Sequence, residues 1–140
     1  QLGAITTAGA VSLGASSIAD AGSGGADSVN VTADALRVVT RGSAAGAGSA
    51  ANALEIRVNQ LAADVKGDGL FLSESDAVRI GTLDAIGVNR VGSDGVTLTA
   101  TTDGALGQLK SGGALVLQTL DGSIETLADG GEVIAAGRRR

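Results

Sequence analysis

The sequence predicts an all-β protein, a parallel β-helix (β-solenoid) of about six to seven coils, each of roughly 20 residues. Three observations carry that reading. Short apolar-x-apolar triplets recur along the whole chain at uneven spacings. Turns built from glycine and aspartate precede several of them. The apolar material is thin: 44% of the 140 residues are hydrophobic, yet Phe71 is the only aromatic and 23 residues are glycine. Side chains of that size do not fill a deep globular interior at native density. They do suit a narrow one made of Val, Leu, Ile and Ala.

Taken in order, the triplets are Val11-Ser12-Leu13, Val29-Asn30-Val31, Leu54-Glu55-Ile56, Leu70-Phe71-Leu72, Val96-Thr97-Leu98 and Leu115-Val116-Leu117, and a seventh begins at Val133. Alternation over three to five residues marks a strand with one buried face. The predicted core is therefore Val11, Leu13, Val29, Val31, Leu54, Ile56, Leu70, Leu72, Val96, Leu98, Leu115 and Leu117. A second apolar point follows at Ile18, Leu36, Leu61, Val78 and Ile124. "GDG" before Leu70, "SDG" before Val96 and "SGG" before Leu115 are turn chemistry, since Gly and Asp tolerate left-handed backbone and close local hydrogen bonds. The absence of proline fits a chain whose every strand gives its N–H to a ladder. An antiparallel sandwich also has short strands and glycine turns. Variable spacing around a repeated phrase ("GAVSLGASSI" and "GALVLQTLDGSI") favours stacked coils. Residues 52–66 read two ways: Asn52 with Glu55 resembles a helix cap, whereas Leu54, Ile56 and Val58 alternate as a strand in phase with their neighbours.

Composition excludes several functions. Without cysteine there are no disulfides, thiolate nucleophiles or sulfur-ligated metals. No apolar run approaches the ~18 residues of a membrane-spanning helix, so no membrane insertion is expected. Net charge is −5; setting aside Arg138, Arg139 and Arg140, seven basic residues face fifteen acidic ones and leave −8. An acidic body argues against nucleic-acid binding, which needs a basic face.

Catalytic residues are not expected. With no histidine, only Lys66 and Lys110 could activate a serine, and both sit in turn-like surroundings. Glu74 and Asp76 lie two apart, on one strand face, a spacing open to a hydrolase or metal site; a solvated edge is the simpler reading. "GSGGADSVN", Gly22 to Asn30, matches the calcium nonapeptide G-G-x-G-x-D-x-U-x except at Ser23, making Asp27 a calcium candidate. Such ions are held between tandem copies, and the stretch after Asn30 does not repeat the motif, so no cofactor is expected. Thr97 and Thr99 supply one rung of an ice-binding ladder with nothing stacked on it.

The phrases "GAVSLGASSI…G" and "GALVLQTLDGSI…GG", with Gly48 to Leu83, resemble the repeats of filamentous haemagglutinin-like adhesins, large bacterial surface proteins exported by two-partner or related type V secretion. The resemblance implies a right-handed β-helix, an extracellular or cell-surface location, and a non-catalytic shaft segment. Residues 1–140 would then be one solenoid segment of a longer chain, its partners being neighbouring coils or copies of itself. A subunit of a self-assembling extracellular filament or sheath is the alternative, and a carbohydrate-active β-helix enzyme a minor one. The asparagine-rich secretion signature of such proteins is absent, which implies an interior part. The opening "QLGAITT" without methionine fits a processed chain or a piece.

Overall fold

The computed structural model describes residues 1–23, 28–127 and 134–136. Among them every regular element is a strand: β1 (Ile5–Thr6), β2 (Ala10–Ala15), β3 (Val31–Thr40), β4 (Leu54–Val65), β5 (Gly69–Glu74), β6 (Val78–Ile80), β7 (Ile86–Val91), β8 (Leu98–Asp103), β9 (Leu109–Ser111), β10 (Ala114–Thr119), β11 (Ile124–Thr126) and β12 (Ile134–Ala136). All but β7 and β8 join one ten-stranded, parallel sheet. The fold is all-β, and residues 54–65 are strand, not helix.

Among the described residues the sheet has five rows. β1 and β2 lie along β3, and β3 along β4. The other edge of β4 takes three strands in succession: β5 at Leu54–Ile56, β6 at Gln60–Leu61 and β9 at Ala63–Val65. β10, β11 and β12 then follow β5, β6 and β9. Val31 pairs with Ile56 and Leu109 with Ile134, the same step along the chain in both cases. Leu54 pairs with Leu72 over a shorter one. Five rows at these unequal steps replace the six to seven similar coils that triplet spacing suggests.

The register builds columns of like side chains. Val11, Leu36, Leu61 and Ile80 stand in one, Leu13, Val38, Ala63 and Leu109 in a second, and Leu54, Leu72 and Leu117 in a third. Bridges Ile18↔Ala47 and Ala47↔Leu70 with the pair Leu70↔Leu115 make a fourth. Leu36, Leu61, Leu70 and Ile80 are fully buried. In β3 and β4 the inward alternation slips by one position, from Ala33 to Leu36 and from Val58 to Leu61. That slip lines up with the breaks between β1 and β2, β5 and β6, and β10 and β11, so every row turns at the same place.

Of the twelve predicted core positions, Val11, Val31, Leu54, Ile56, Leu70 and Leu72 are buried, while Leu13, Leu115 and Leu117 are half-buried against the same cluster and Val29 is half-buried. Val96 and Leu98 are corrections: they are 81% and 64% exposed. Their triplet belongs to an antiparallel hairpin, β7–β8, and not to any row. Leu61 and Ala63, alternate positions on β4, stand beside Ile80 and Leu109, which are far apart in the chain. The residues between loop out, and Leu83 and Leu106 exchange backbone hydrogen bonds at the base. Ile124 is also exposed (43%), because its row has no described neighbour beyond it. Val133 and Arg138–Arg140 lie outside the described residues.

Candidate functional site

The line along which the rows turn carries a polar trough. Small residues keep it open: Ala8, Ala33 and Ala77 line its first part, a cavity of about 350 Å3. An adjoining cavity of about 360 Å3 shares Asp34, Asn59 and Ala77 and continues to Arg79 and Glu125. Asn59 Nδ2 donates to Asp34 Oδ1 at 2.9 Å, linking β3 to β4. Arg57 Nε meets Asp76 Oδ2 at 2.8 Å, and Arg79 Nε meets Glu125 Oε2 at 3.4 Å. Both ion pairs are exposed and each contributes only about 0–1 kcal/mol.

Beneath the first cavity lies Glu74, fully buried. It follows Ile5, Val31 and Ile56 in one column, and Thr119 comes after it. Its carboxylate accepts the N–H of Val58 (3.1 Å) and of Asp76 (3.1 Å). Sequence spacing places Glu74 and Asp76 on one face; in the structure they point apart, Glu74 inward and Asp76 out to Arg57, because a turn at Ser75 and Asp76 separates them. A catalytic pair of carboxylates around a shared substrate is not formed. Burial pushes the Glu74 carboxyl above its ordinary value of 4.5, while the N–H donors of Asp76 and Val58 pull it back. Between the ordinary and the raised value the native state binds more protons than the unfolded chain. This contribution to stability is therefore complete below 4.5 and is lost as pH rises through the raised value. Because only the parent loses this stability, the melting temperature of Glu74→Gln minus that of the parent is expected to rise from pH 4.5 to 7.5. A constant difference across that range would contradict the assignment.

A second buried polar group ties the first three rows together. Asn30 Nδ2 donates to Asp20 Oδ1 at 2.6 Å, and Asn30 Oδ1 accepts the Glu55 N–H at 2.9 Å. The Gly22 N–H, then Asn30, hold the Asp20 carboxyl below its ordinary value. Asp27, the calcium candidate, lies outside the described residues, and no group of three or more acidic side chains suited to a metal occurs among those described. Sequence alone marks Asn30 only as the x of its triplet; an amide between two valines is the signal that could have found it.

Lys66 Nζ pairs with Asp64 at 3.0 Å and Lys110 is exposed, so neither lies against a serine as a buried base.

The hairpin is the remaining feature. Its base is strapped across the outer face of β2 and β3: Ser12 Oγ donates to Asp103 Oδ2 at 2.6 Å and Arg37 Nε to the Gly104 carbonyl at 3.0 Å. The Ser12 hydroxyl, with Arg90 and Arg37 nearby, holds the Asp103 carboxyl below its ordinary value. At the tip, Asp94 accepts the N–H groups of Val96 and Thr97 and the Thr97 hydroxyl, which brings its carboxyl down to about 2. Gly95 takes φ +71° there. "SDG" is thus the turn the sequence announces, but it closes a hairpin.

No family model, curated protein or solved structure matches this chain. Its chemistry rests on the geometry alone. Among the described residues no helix is long and apolar enough to cross a membrane.

Proposed function

We propose that this chain is a non-catalytic segment of an extended extracellular shaft, built as a right-handed β-solenoid and belonging to a filamentous haemagglutinin-like bacterial surface adhesin. The observation that carries the reading is the parallel register: partners one long step apart in the chain stack aliphatic on aliphatic through row after row. Such a stack grows in one dimension, each row contacting its neighbours, which is how repeat architectures make length. Its partners are further rows of a longer chain. The repeated phrases at Gly9–Ile18 and Gly113–Ile124 add the sequence resemblance.

A second reading, a subunit of a self-assembling filament or sheath, is favoured by one feature. The first and last rows each leave a strand edge without a described neighbour, and Val116, Ile124 and Ile134 are exposed on the last. An open parallel edge is a template for another strand. One measurement tests the surface location that both readings share, and a second separates them. Antibody against the chain is expected to label intact producing cells and to be lost on brief external proteolysis; labelling only after lysis would refute the surface assignment. Electron microscopy of the purified chain is expected to show short discrete particles, and uniform fibres would select the filament.

A further inference from the structure

The hairpin β7–β8 is a two-stranded sheet of its own, separate from the ten-stranded one. Two-stranded ribbons are marginally stable in water, and a third strand is what ordinarily completes them. Its base is pinned to the body, but its outer half is not. Val91, Val96 and Leu98 are 61%, 81% and 64% exposed.

The backbone states what is missing. Gly92 N–H donates to the Thr97 carbonyl at 2.7 Å. With that pair bonded, the alternation of an antiparallel ladder turns the N–H and C=O groups of Leu98, Ala100 and Thr102 away from β7. Among the described residues β8 pairs with no other strand. Free edges are normally blunted by charge, proline or a bulge. From Leu98 to Thr102 this one has none of them: it reads Leu-Thr-Ala-Thr-Thr, rich in β-branched residues that suit strands. The face above it, with Asn89, Val91, Leu98, Ala100 and Thr102, is uncharged and exposed.

We propose that the β8 edge is a docking site for the same edge of a second copy of this chain. Antiparallel pairing about Ala100 sets Leu98 opposite the partner copy's Thr102 and Ala100 opposite Ala100, with equivalent faces on one side. No like charges come into opposition, since the edge carries none between Leu98 and Thr102. The product is a four-stranded antiparallel sheet with two-fold symmetry, the commonest form of homo-oligomer. The exposed apolar tips of both hairpins then border one continuous uncharged face. The contact bridges two bodies side by side and goes beyond the shaft reading, since it needs neither open end of the large sheet.

Ala100→Pro tests it cleanly. The substitution removes an N–H that the hairpin itself does not use, and edge strands tolerate proline. By analytical ultracentrifugation the parent chain is expected to show a concentration-dependent monomer–dimer equilibrium, weakened at least tenfold in Ala100→Pro. Should the proline distort the hairpin, Ala100→Cys gives an independent readout. In a chain without cysteine, mild oxidation is expected to link that variant into dimers across the two-fold, while Gly87→Cys, on the opposite edge, stays monomeric. A parent chain that remains monomeric at several hundred micromolar, equal dimerisation of Ala100→Pro, or equal linking of both cysteine variants would each overturn the proposal.

Discussion

Leu61→Asp is expected to leave the protein unfolded at room temperature, whereas Leu98→Asp should leave its melting curve almost unmoved. Leu61 is fully buried in the column of Val11, Leu36 and Ile80, at the middle row of the sheet. No basic side chain stands in that column, so an aspartate there is an unpaired buried charge. Removing the partner of a buried charge costs about 3–5 kcal/mol, and losing the leucine from a packed core adds about 2–5 kcal/mol. Together these rival the whole stability of a domain, about 5–15 kcal/mol. Leu98, 64% exposed on the hairpin, has water around it already. Surface changes of that kind stay within about 0.5 kcal/mol. Circular dichroism of the two variants checks the pair, and similar melting temperatures would mean that the inward face has been misplaced.

Gly69→Ala is expected to lower stability by about 3 kcal/mol, combining roughly 1–3 kcal/mol for backbone strain with about 1–3 kcal/mol for overpacking. Gly69 has φ +134°, a conformation that L side chains rarely adopt, and a Cβ there would lie 2.4 Å from the Ala114 carbonyl oxygen. The obstacle is backbone in the adjoining row and cannot swing aside. On the other side the Gly69 carbonyl accepts the Ala47 N–H. Three rows thus meet at this residue. Gly87→Ala is the control, having an ordinary φ and no atom within 4 Å of the added methyl. It should be neutral in a urea titration, and equal losses for both glycines would show that close approach of the rows is not what requires Gly69.

Much of the fold was legible because one-face burial writes itself as alternation. Val31, Leu54, Ile56, Leu70 and Leu72 were readable for that reason, and so was the strand at residues 54–65, whose Leu54 and Ile56 kept phase with their neighbours. Val96 and Leu98 were misread because a hairpin strand alternates with the same period as a strand in a row. What distinguishes them is the partner, which letters alone do not give. The true step between rows was obscured for a related reason. Val11 pairs with Leu36 and not with the like triplet at Val29, and the slip at Asp34 and Asn59 breaks the count within a row. Glu74 was legible as an acid but not as a buried one. Nothing in "SESD" states that the chain turns between its two carboxylates, one facing the core and the other facing Arg57.

The strap that closes the hairpin also bears on how the chain finds its register. Docking β9 on β4 brings Ala63 to Leu109, nearly twice as far along the chain as Val38 is from Ala63. A chain-closure cost that rises as the logarithm of loop length makes this about 0.5 kcal/mol worse than the shorter step. A hairpin forms within about 1–10 microseconds, far faster than a parallel row can assemble from distant segments. Once Leu83 and Leu106 have joined, the path from Ala63 to Leu109 is no longer than an ordinary row. The detour erases itself from the folding problem before the slow pairing begins. Residues 84 to 105 are therefore an interchangeable cassette: any segment that closes on itself quickly and brings its ends together at Leu83 and Leu106 could take their place, leaving the rows to fold around it.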